Sequence, residues 1–468
     1  MNHNYDLVVI GSGPAGEKGA AQAAYFGKRV ALVEKSELLG GAAANTGTLP
    51  SKTLRESAVY LSGFRHRKLE GMDFQLKREL TVSNFLARKQ IVSRYERQRI
   101  AENLKRHKVD VYHGSARFLD ASTVAVSRAD GEVVTLAAEH ILIATGSSPN
   151  RPAQFDFNHP QVYDSDTILE LKTLPSSVMV VGGGVIGCEY ACMLAELGIR
   201  ITLVEQRSGL VGCLDLEVAG VLESCMKKMG MTICVGDSVK EVGYENSQVH
   251  IRLQSGQSHA VDAVLVSAGR CGNSRNMGLD EIGVSLDPRG RILVNENYQT
   301  SVPHIYAAGD VIGAPALAST SMQQARLAMV HAFQLEYLKS LPRVLPYGIY
   351  TIPECSLAGD TEEDLQKKGI DYVAGKALYA ANARGQIIGD QDGFLKLLFR
   401  TSDMQLLGVH VIGEQATELV HTGLTALLMG ANAQLFIETC YNYPTLTELY
   451  KYAAYDALGA RAARQRKL

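Results

Sequence analysis

The sequence contains no Cys-x-x-Cys pair, no long apolar run and no marked excess of one charge. Its eight cysteines are scattered, which predicts neither a zinc knuckle nor a disulfide framework. No window of about 18 apolar residues occurs, so no membrane span is predicted. The opening stretch MNHNYDLVVIG lacks the basic and apolar leader of a signal peptide. We therefore expect a cytoplasmic protein.

The charge balance also excludes several kinds of partner. The chain has 47 basic and 49 acidic residues and a formal net charge of −2, which gives no reason to expect nucleic acid or an anionic membrane as a partner. Small polar metabolites remain possible. Cys188 and Cys192 could offer two metal ligands on one face of a helix, but packing of small buried thiols is the favoured interpretation, and we expect no metal site.

The 468 residues leave room for two to four domains, and two segments repeat one pattern. In each, a β-branched strand enters a GxGxxG turn that opens a helix, and an acid ends the next strand, 18 residues after the third glycine. The first copy runs from YDLVVIGSGPAG to RVALVE, and the second runs from VMVVGGGVIG to RITLVE. The residues of the pattern are Gly11, Gly13, Gly16 and Glu34 in the first copy and Gly182, Gly184, Gly187 and Glu205 in the second.

This pattern is typical of dinucleotide binding. The first glycine permits a tight turn, the second lets the backbone approach a pyrophosphate, and the third lets helix and strand pack closely. The helix N-terminus offers free N–H groups and a partial positive charge to the phosphates. Each acid would accept hydrogen bonds from ribose hydroxyls. The sequence therefore predicts an α/β protein with two Rossmann-like domains, and hydride transfer between a flavin and a nicotinamide would explain why there are two.

Sequence patterns outside the two glycine motifs predict the secondary structure of the other segments. Residues 53–110 are strongly charged and are expected to form a mostly helical, solvated pair. The strand HILIATGSSP ends in a glycine turn, and VDAVLVSAGR repeats that ending. From about residue 345, alternating strands are followed by long helices, which predicts a separate α+β unit.

Six ordered motifs resemble the pyridine nucleotide–disulfide oxidoreductase family, which includes lipoamide dehydrogenase and glutathione reductase. They are GSGPAG, GGxxxNxGxxPSK, IATGS, GGGVIGCEYA, YAAGD and YPTLTE. The resemblance covers nearly the whole chain. It implies a first part of an FAD-binding domain at residues 1–150, an NAD(P)-binding domain at 151–271, a second part of the FAD-binding domain at 272–344 and a dimerisation domain at 345–468. It also implies a homodimer.

The chain departs from the family at the redox-active positions. Family disulfide reductases have two cysteines in the GGxxxNxGxxPSK run and a histidine before the proline of the last motif. Here these positions are Ala43, Thr48 and Tyr443. Neither Ala43 nor Thr48 can become a thiolate, and tyrosine, with an ordinary pKa of about 10, is a poor base at neutral pH. Glu448, which would orient the histidine, is kept, and a structural role for Tyr443 and Glu448 is the favoured interpretation.

The resemblance assigns roles to further residues. Lys52 would lie beside the flavin N5 edge and pair with Glu189 near the nicotinamide, and these two are the predicted catalytic residues. Asp310 would bind the ribityl chain, and the backbone at Leu317 and Ala318 would face the flavin pyrimidine. The other predicted contacts are Gly114, Thr145 and Gly146 for FAD, and Arg207 and Gly269 for NAD(P).

Within the family, the chain is similar to the soluble, FAD-dependent pyridine nucleotide transhydrogenases, through GTLPSK, LAS, YGIYTIPE and NYP. The similarity implies ping-pong hydride transfer from NADPH to NAD⁺ through flavin N5 without a redox-active disulfide. Glu205 favours NAD, while Arg207 could either pair with the 2′-phosphate of NADP or face solvent. A diaphorase or quinone reductase is the alternative. A non-catalytic redox-sensing flavoprotein and a lipoamide dehydrogenase are weaker ones.

Overall fold

In the computed structural model, residues 3–66, 82–337 and 340–466 are described. The strands are, in chain order, β1 (His3–Ile10), β2 (Val30–Glu34), β3 (Asp110–His113), β4 (Ser115–Asp120), β5 (Thr123–Ser127), β6 (Val133–Ile143), β7 (Ser147–Pro149), β8 (Val162–Asp164), β9 (Ser177–Val181), β10 (Arg200–Glu205), β11 (Thr232–Val235), β12 (Val239–Glu245), β13 (Gln248–Leu253), β14 (Ser258–Val261), β15 (Ala263–Val266), β16 (Arg270–Gly272), β17 (Ile305–Ala307), β18 (Tyr347–Ile349), β19 (Cys355–Gly359), β20 (Tyr372–Leu378), β21 (Phe394–Arg400) and β22 (Leu406–Ile412).

The helices connect and cover these strands. They are α1 (Pro14–Tyr25), α2 (Gly41–Asn45), α3 (Thr48–His66), α4 (Val82–Arg106), α5 (Val185–Glu196), α6 (Leu216–Lys228), α7 (Ala318–Ala332), α8 (Glu362–Lys367), α9 (Ala383–Ile388), α10 (Ala416–Leu428), α11 (Ala433–Glu438) and α12 (Leu449–Gln465). The expectation of mostly helical structure over residues 53–110 is met by α3 and α4, while residues 67–81 lie outside the described part.

The first sheet orders its strands β3-β2-β1-β6-β5-β4, and β17 also pairs with β6. Strands β1, β2, β3, β6 and β17 run parallel, and β4–β5–β6 form an antiparallel extension. Val8 and Val9 of β1 are fully buried, as expected for parallel strands covered on both faces. The chain therefore returns to this sheet after the second nucleotide unit.

The second sheet is all parallel, in the order β11-β10-β9-β15-β8. Beside it lies the antiparallel meander β12-β13-β14, and the pair β7–β16 links the first and second units. A third sheet, β18-β19-β22-β21-β20, is antiparallel and packs against α10 and α12. The predicted α/β fold with a C-terminal α+β unit is thus confirmed, while the predicted domain boundaries stay predictions.

Both glycine turns follow the expected physics. Gly11 and Gly182 have φ angles of +103° and +108°, a region that favours glycine. A Cβ on Gly16 would lie 1.8 Å from the Gly11 carbonyl oxygen, and one on Gly187 would lie 1.9 Å from that of Gly182. The third glycine of each turn is therefore required for the helix to pack on its strand. Among the described residues, no helix has both the length and the apolar character needed to cross a membrane.

Candidate active site

The first turn is tied to the acid that ends β2. Glu34 is buried, and its Oε2 accepts hydrogen bonds from the Ser12 N–H at 2.9 Å and the Ser12 hydroxyl at 2.6 Å. The Gly114 N–H donates to the Glu34 carbonyl oxygen at 2.9 Å. The predicted residues Glu34 and Gly114 therefore lie beside the turn, and Ser12, which the motif leaves unspecified, fixes the carboxylate.

The second glycine of each turn indicates room for a ligand. Gly13 and Gly184 have ordinary backbone angles, with φ of −63° and −76°. No described atom lies within 4 Å of a Cβ built on Gly13, and only Arg207 Nη2, at 4.0 Å, approaches one on Gly184. Neither strain nor internal packing requires glycine here. A side chain would instead fill the space in which a pyrophosphate is expected, so these turns fit the dinucleotides FAD and NAD(P).

The run GGAAANTGTLPSK packs onto the first turn. The Gly40 N–H donates to the Ser12 hydroxyl at 2.9 Å, and a Cβ on Gly41 would lie 2.9 Å from Gly13 Cα. Short α2 then leads into α3, which carries Lys52 in its second turn. This packing places α3 next to the predicted flavin turn.

Other residues assigned to FAD also gather around the first sheet. Gly11 backs onto the backbone of Ala144 and Thr145, and the Thr145 hydroxyl donates to the Asn273 carbonyl at 2.6 Å. Gly146 has φ +68° and no described atom near a built Cβ. Asp310 follows β17 and accepts a hydrogen bond from the Ser147 hydroxyl at 2.9 Å.

The start of α7 lies close by. Leu317 is its N-cap and Ala318 its first residue, so the first-turn N–H groups lack intrahelical partners. Helix α7 packs along α1, the helix opened by the first turn. The predicted FAD residues are thus brought together, although their contacts with the cofactor remain predictions.

At the second turn, Glu205 is bound by its neighbours. Its Oε2 accepts from the Gly183 N–H at 2.7 Å, and its Oε1 accepts from the Arg207 N–H at 2.8 Å and Nε at 2.9 Å. Burial opposes ionisation of Glu205, but the hydrogen bonds from Arg207 and Gly183 outweigh it and lower its pKa. The hydrogen bond to Glu205 in turn raises the pKa of Arg207.

The structure pairs the Arg207 guanidinium with Glu205, because Nε and Nη2 both donate to its carboxylate. The predicted contact of Arg207 with NAD(P) stays a prediction. The Arg207 side chain is still 52% exposed and lies above Gly184, at the mouth of the turn. Gly269, with φ +89°, accepts a hydrogen bond from Asn150 in the link between the first and second units.

Lys52 and Glu189 form the predicted pair. Lys52 Nζ lies 2.6 Å from Glu189 Oε2, and the glutamate is almost completely buried. Glu189 belongs to α5, the helix opened by the second turn. The pair therefore joins α3, which packs next to the first turn, to α5, the helix opened by the second turn.

Tyr350 completes this arrangement and was not predicted as a site residue. Its backbone N–H donates to Glu189 Oε1 at 2.9 Å, and Lys52 Nζ lies 4.9 Å from the centre of its ring, within cation–π range. Burial raises the pKa of the Tyr350 hydroxyl, so the ring stays neutral. The motif YGIYTIPE contains this residue, but sequence alone gives no sign that it meets Lys52 and Glu189.

Arg270 connects the two nucleotide units and was also missed. Its Nε donates to the Ser147 hydroxyl at 2.8 Å, and its Nη1 lies 3.5 Å from Asp166 Oδ1. Burial raises the pKa of Asp166, and the charge of the nearby Arg270 opposes this effect. Arg270 thus reaches Asp310 through Ser147.

The run GGAAANTGTLPSK contains no cysteine. Ala43 lies in α2 and exposed Thr48 begins α3, and all eight cysteines are free thiols. Burial raises the pKa of Cys188 and Cys355, and it raises that of Cys192 to about 12. These buried thiols stay protonated at neutral pH. Cys188 and Cys192 on α5 and Cys355 on β19 belong to the same hydrophobic core.

Tyr443 and Glu448 lie in the C-terminal unit, just before α12. The Tyr443 side chain is 73% exposed, while Glu448 is half-buried and occupies the N-cap position of α12 without a side-chain capping hydrogen bond. In the described part of this chain, neither residue forms a hydrogen bond or ion pair with Lys52 or Glu189. Their predicted structural role remains a prediction.

One acidic group has metal-like spacing among the described residues: Asp215, Glu217 and Glu362. Lys396 lies among these carboxylates, with its Nζ 2.9 Å from Asp215 Oδ1 and 3.1 Å from Glu217 Oε2, and it also pairs with Glu362. The ammonium already supplies the cation, so the group is an ionic contact between α6 and the third sheet.

Two family models match the chain. One, described as pyridine nucleotide-disulphide oxidoreductase, matches residues 5–325. The other, described as pyridine nucleotide-disulphide oxidoreductase, dimerisation domain, matches residues 345–454. Together they cover both nucleotide units and most of the C-terminal unit.

Two curated proteins that are similar to this chain have the same name. The soluble pyridine nucleotide transhydrogenase of Mycobacterium tuberculosis is 45% identical over 460 residues, which cover 98% of each chain. The protein of that name from Pseudomonas entomophila is 41% identical over 464 residues, which cover 97% of this chain and 98% of that one.

Solved structures agree on the fold. A Cu(II) complex of the HOCl-induced flavoprotein disulfide reductase RclA from Escherichia coli matches with a TM-score of 0.88 and 27% identity, covering 97% of this chain and 99% of that one. LpdA from Mycobacterium tuberculosis matches with a TM-score of 0.89 and the same coverage, and at 24% identity it supports the fold alone.

Proposed function

Because the chain belongs to the pyridine nucleotide-disulphide oxidoreductase family, whose members use FAD and NAD(P)H, we propose that it transfers hydride from NADPH to NAD⁺. The supporting relatives are named transhydrogenases and match over nearly their full length. The observation that carries the proposal is the Lys52–Glu189 pair, which joins the two nucleotide units next to the cysteine-free run of residues 40–52.

FAD, when bound, supplies a carrier that accepts a hydride from one nicotinamide and returns it to another. The residues of this chain would hold the two rings in place. The first turn, Glu34 and Asp310 would bind FAD, and the second turn and Glu205 would bind the nicotinamide nucleotide. One nucleotide site then serves both half-reactions, which gives ping-pong kinetics.

Lys52 would supply positive charge where negative charge develops during transfer. Its ammonium is fixed by Glu189 on one side and by the Tyr350 ring on another. Such preorganised charge acts strongly in a site from which water is excluded. Because Glu189 is itself fixed by the Tyr350 N–H, the pair needs little reorganisation.

We propose that no disulfide takes part. Alanine and threonine at positions 43 and 48 provide no thiolate, and Tyr443 replaces the histidine of the disulfide reductases. The reducing equivalents would then stay on flavin and nicotinamide. This is the difference we expect from the disulfide reductases of the same fold.

The assembly we propose is a homodimer through residues 345–468, in line with the dimerisation model that matches 345–454. The first and central segments, 1–150 and 272–344, would form the FAD domain, and 151–271 the NAD(P) domain. Large apolar side chains on the C-terminal unit, including Met429 at 79% exposure, would be covered by the partner.

Two half-reactions test the proposal. Anaerobic enzyme is mixed with NADPH, the flavin absorbance is followed, excess nucleotide is removed, and NAD⁺ is added. We expect bleaching followed by recovery of the absorbance with formation of NADH. Flavin that NADPH does not bleach would favour a non-catalytic flavoprotein, and recovery only with a quinone would favour a diaphorase. Turnover of dihydrolipoamide would contradict the thiol-free mechanism.

A further inference from the structure

Arg55 lies one helical turn after Lys52 on α3 and is buried, whereas Lys52 is half-buried. The Arg55 side chain is 9% exposed, and its Nη1 lies 3.0 Å from Glu354 Oε1. Its Nε donates to the Thr351 carbonyl oxygen at 3.3 Å. Residues three apart on a helix share a face, so α3 directs two cations, Lys52 and Arg55, towards acids from two other parts of the fold.

The segment that Arg55 binds is the one that contacts the candidate catalytic pair. Residues 350–354 connect β18 to β19. At one end, Tyr350 donates its N–H to Glu189 and places its ring over Lys52. At the other end, Glu354 accepts hydrogen bonds from the Thr417 N–H at 3.1 Å and hydroxyl at 2.8 Å.

We propose that Arg55 is a positioning residue, which fixes Glu189 and Lys52 for hydride transfer by holding the backbone of residues 350–351. The proposal deepens the proposed function and rests on it for the role of Lys52. Arg55 does not touch the reacting atoms. It acts through Thr351 and Tyr350.

The chemistry of the guanidinium suits this task. Arginine presents several N–H donors in a rigid plane, and here it binds the carboxylates of Glu354 and exposed Glu56 and the Thr351 carbonyl oxygen at the same time. Lysine has a compact ammonium without that fixed fork. Removing the cation also leaves Glu354 buried without its ionic partner, although Thr417 still donates two hydrogen bonds to it.

The test compares three variants of the FAD-loaded protein. Arg55→Met removes the cation, Arg55→Lys keeps the charge but not the fork, and Lys396→Met removes a buried cation from the ionic contact between α6 and the third sheet. Each is reduced anaerobically with NADH and, separately, NADPH, without a second nucleotide. Rate, nucleotide Kd and flavin midpoint potential are measured, together with the unfolding temperature.

We expect Arg55→Met to reduce flavin about tenfold more slowly, the effect of losing one hydrogen bond to a charged group, with Kd nearly unchanged. Its flavin potential should fall because the Lys52 ammonium is less well fixed. Arg55→Lys should show both effects more weakly, and if Arg55→Met does not fold, Arg55→Lys and Glu354→Gln decide. Lys396→Met should lose stability but keep its rate and potential.

Three results would overturn the proposal: an unchanged rate and potential in both Arg55 variants, a change in nucleotide Kd alone, or losses in Lys396→Met that match those of Arg55→Met at equal loss of stability. The role of Arg55 and the proposed transhydrogenation can be refuted independently. If reduced wild-type enzyme passes nothing to NAD⁺, transhydrogenation is wrong, while the reduction rates and potentials still test Arg55.

Discussion

Replacing Arg207 by methionine should weaken the use of NADPH and leave the use of NADH intact. In the structure the Arg207 guanidinium donates to both oxygens of Glu205 and lies above Gly184. A 2′-phosphate arriving beside Glu205 would be repelled by the carboxylate, but the neighbouring guanidinium can turn from one anion to the other. NAD carries no such phosphate and leaves the pair as it is.

The magnitude follows from two opposing contributions. A hydrogen bond to a charged group contributes about 1.5–3 kcal/mol, while giving up an exposed ion pair costs about 0.2–1 kcal/mol. We use the range for solvent-exposed ion pairs because the Arg207 side chain is 52% exposed. The net loss for NADPH is about 1–2 kcal/mol, or about five- to thirtyfold in kcat/KM.

The assay is kcat/KM for flavin reduction by NADPH and by NADH, measured at constant ionic strength. Arg200→Met is a matched control, because exposed Arg200 lies at the opposite end of β10. We expect the NADPH value to fall and the NADH value to stay within about twofold. Equal losses with both nucleotides would show that Arg207 only supports the turn, and no loss with either would show that it plays no part in selectivity.

Three further predictions concern other parts of the molecule. In stopped-flow measurements, Lys52→Met should slow flavin reduction by about a hundredfold or more, as expected for loss of a preorganised charge. A rate near that of wild type would contradict the role of Lys52. Alkylation with iodoacetamide after NADPH reduction should leave transhydrogenation unchanged, whereas inactivation would indicate a working thiol. Lys396→Met should destabilise the protein by about 3–5 kcal/mol, because buried Asp215 loses its partner. The loss should appear as unfolding at a lower urea concentration, and adding Asp215→Asn should recover part of it. Burial opposes ionisation of Asp215, but hydrogen bonds from Lys396 lower its pKa. The wild type should therefore lose this stability as the pH falls below about 4. The free energy of unfolding of Asp215→Asn should depend less on pH in this range.

The sequence predicts the two nucleotide units because their requirements are local. Gly16 and Gly187 are fixed by contacts with glycines five residues earlier, and Glu34 and Glu205 lie at the next strand end, so spacing along the chain encodes the geometry. The same holds for the α/β fold class, since strand and helix periods are short-range patterns.

The parts that sequence alone could not predict depend on distant contacts. Tyr350 meets Glu189 across 161 positions, and Arg55 meets Thr351 across 296. Arg270 is likewise explained only when its neighbours Ser147 and Asp166 are brought together by the β7–β16 link. The pairing of Arg207 with Glu205 is local, yet two residues of opposite charge in one loop do not reveal whether they bind each other or a ligand.

The turn from Gly40 to Lys52 also has a consequence for oxidative damage. Peroxides and hypohalous acids attack exposed thiolates and convert them to sulfenic and higher acids. Here Ala43 and Thr48 offer such oxidants no sulfur, and the buried thiols of Cys188, Cys192 and Cys355 have raised pKa values. On the proposed function, exposed Cys213 and Cys440 take no part in hydride transfer. We therefore expect exchange between the two nicotinamide pools to continue under oxidant exposures that inactivate dithiol enzymes of the same fold.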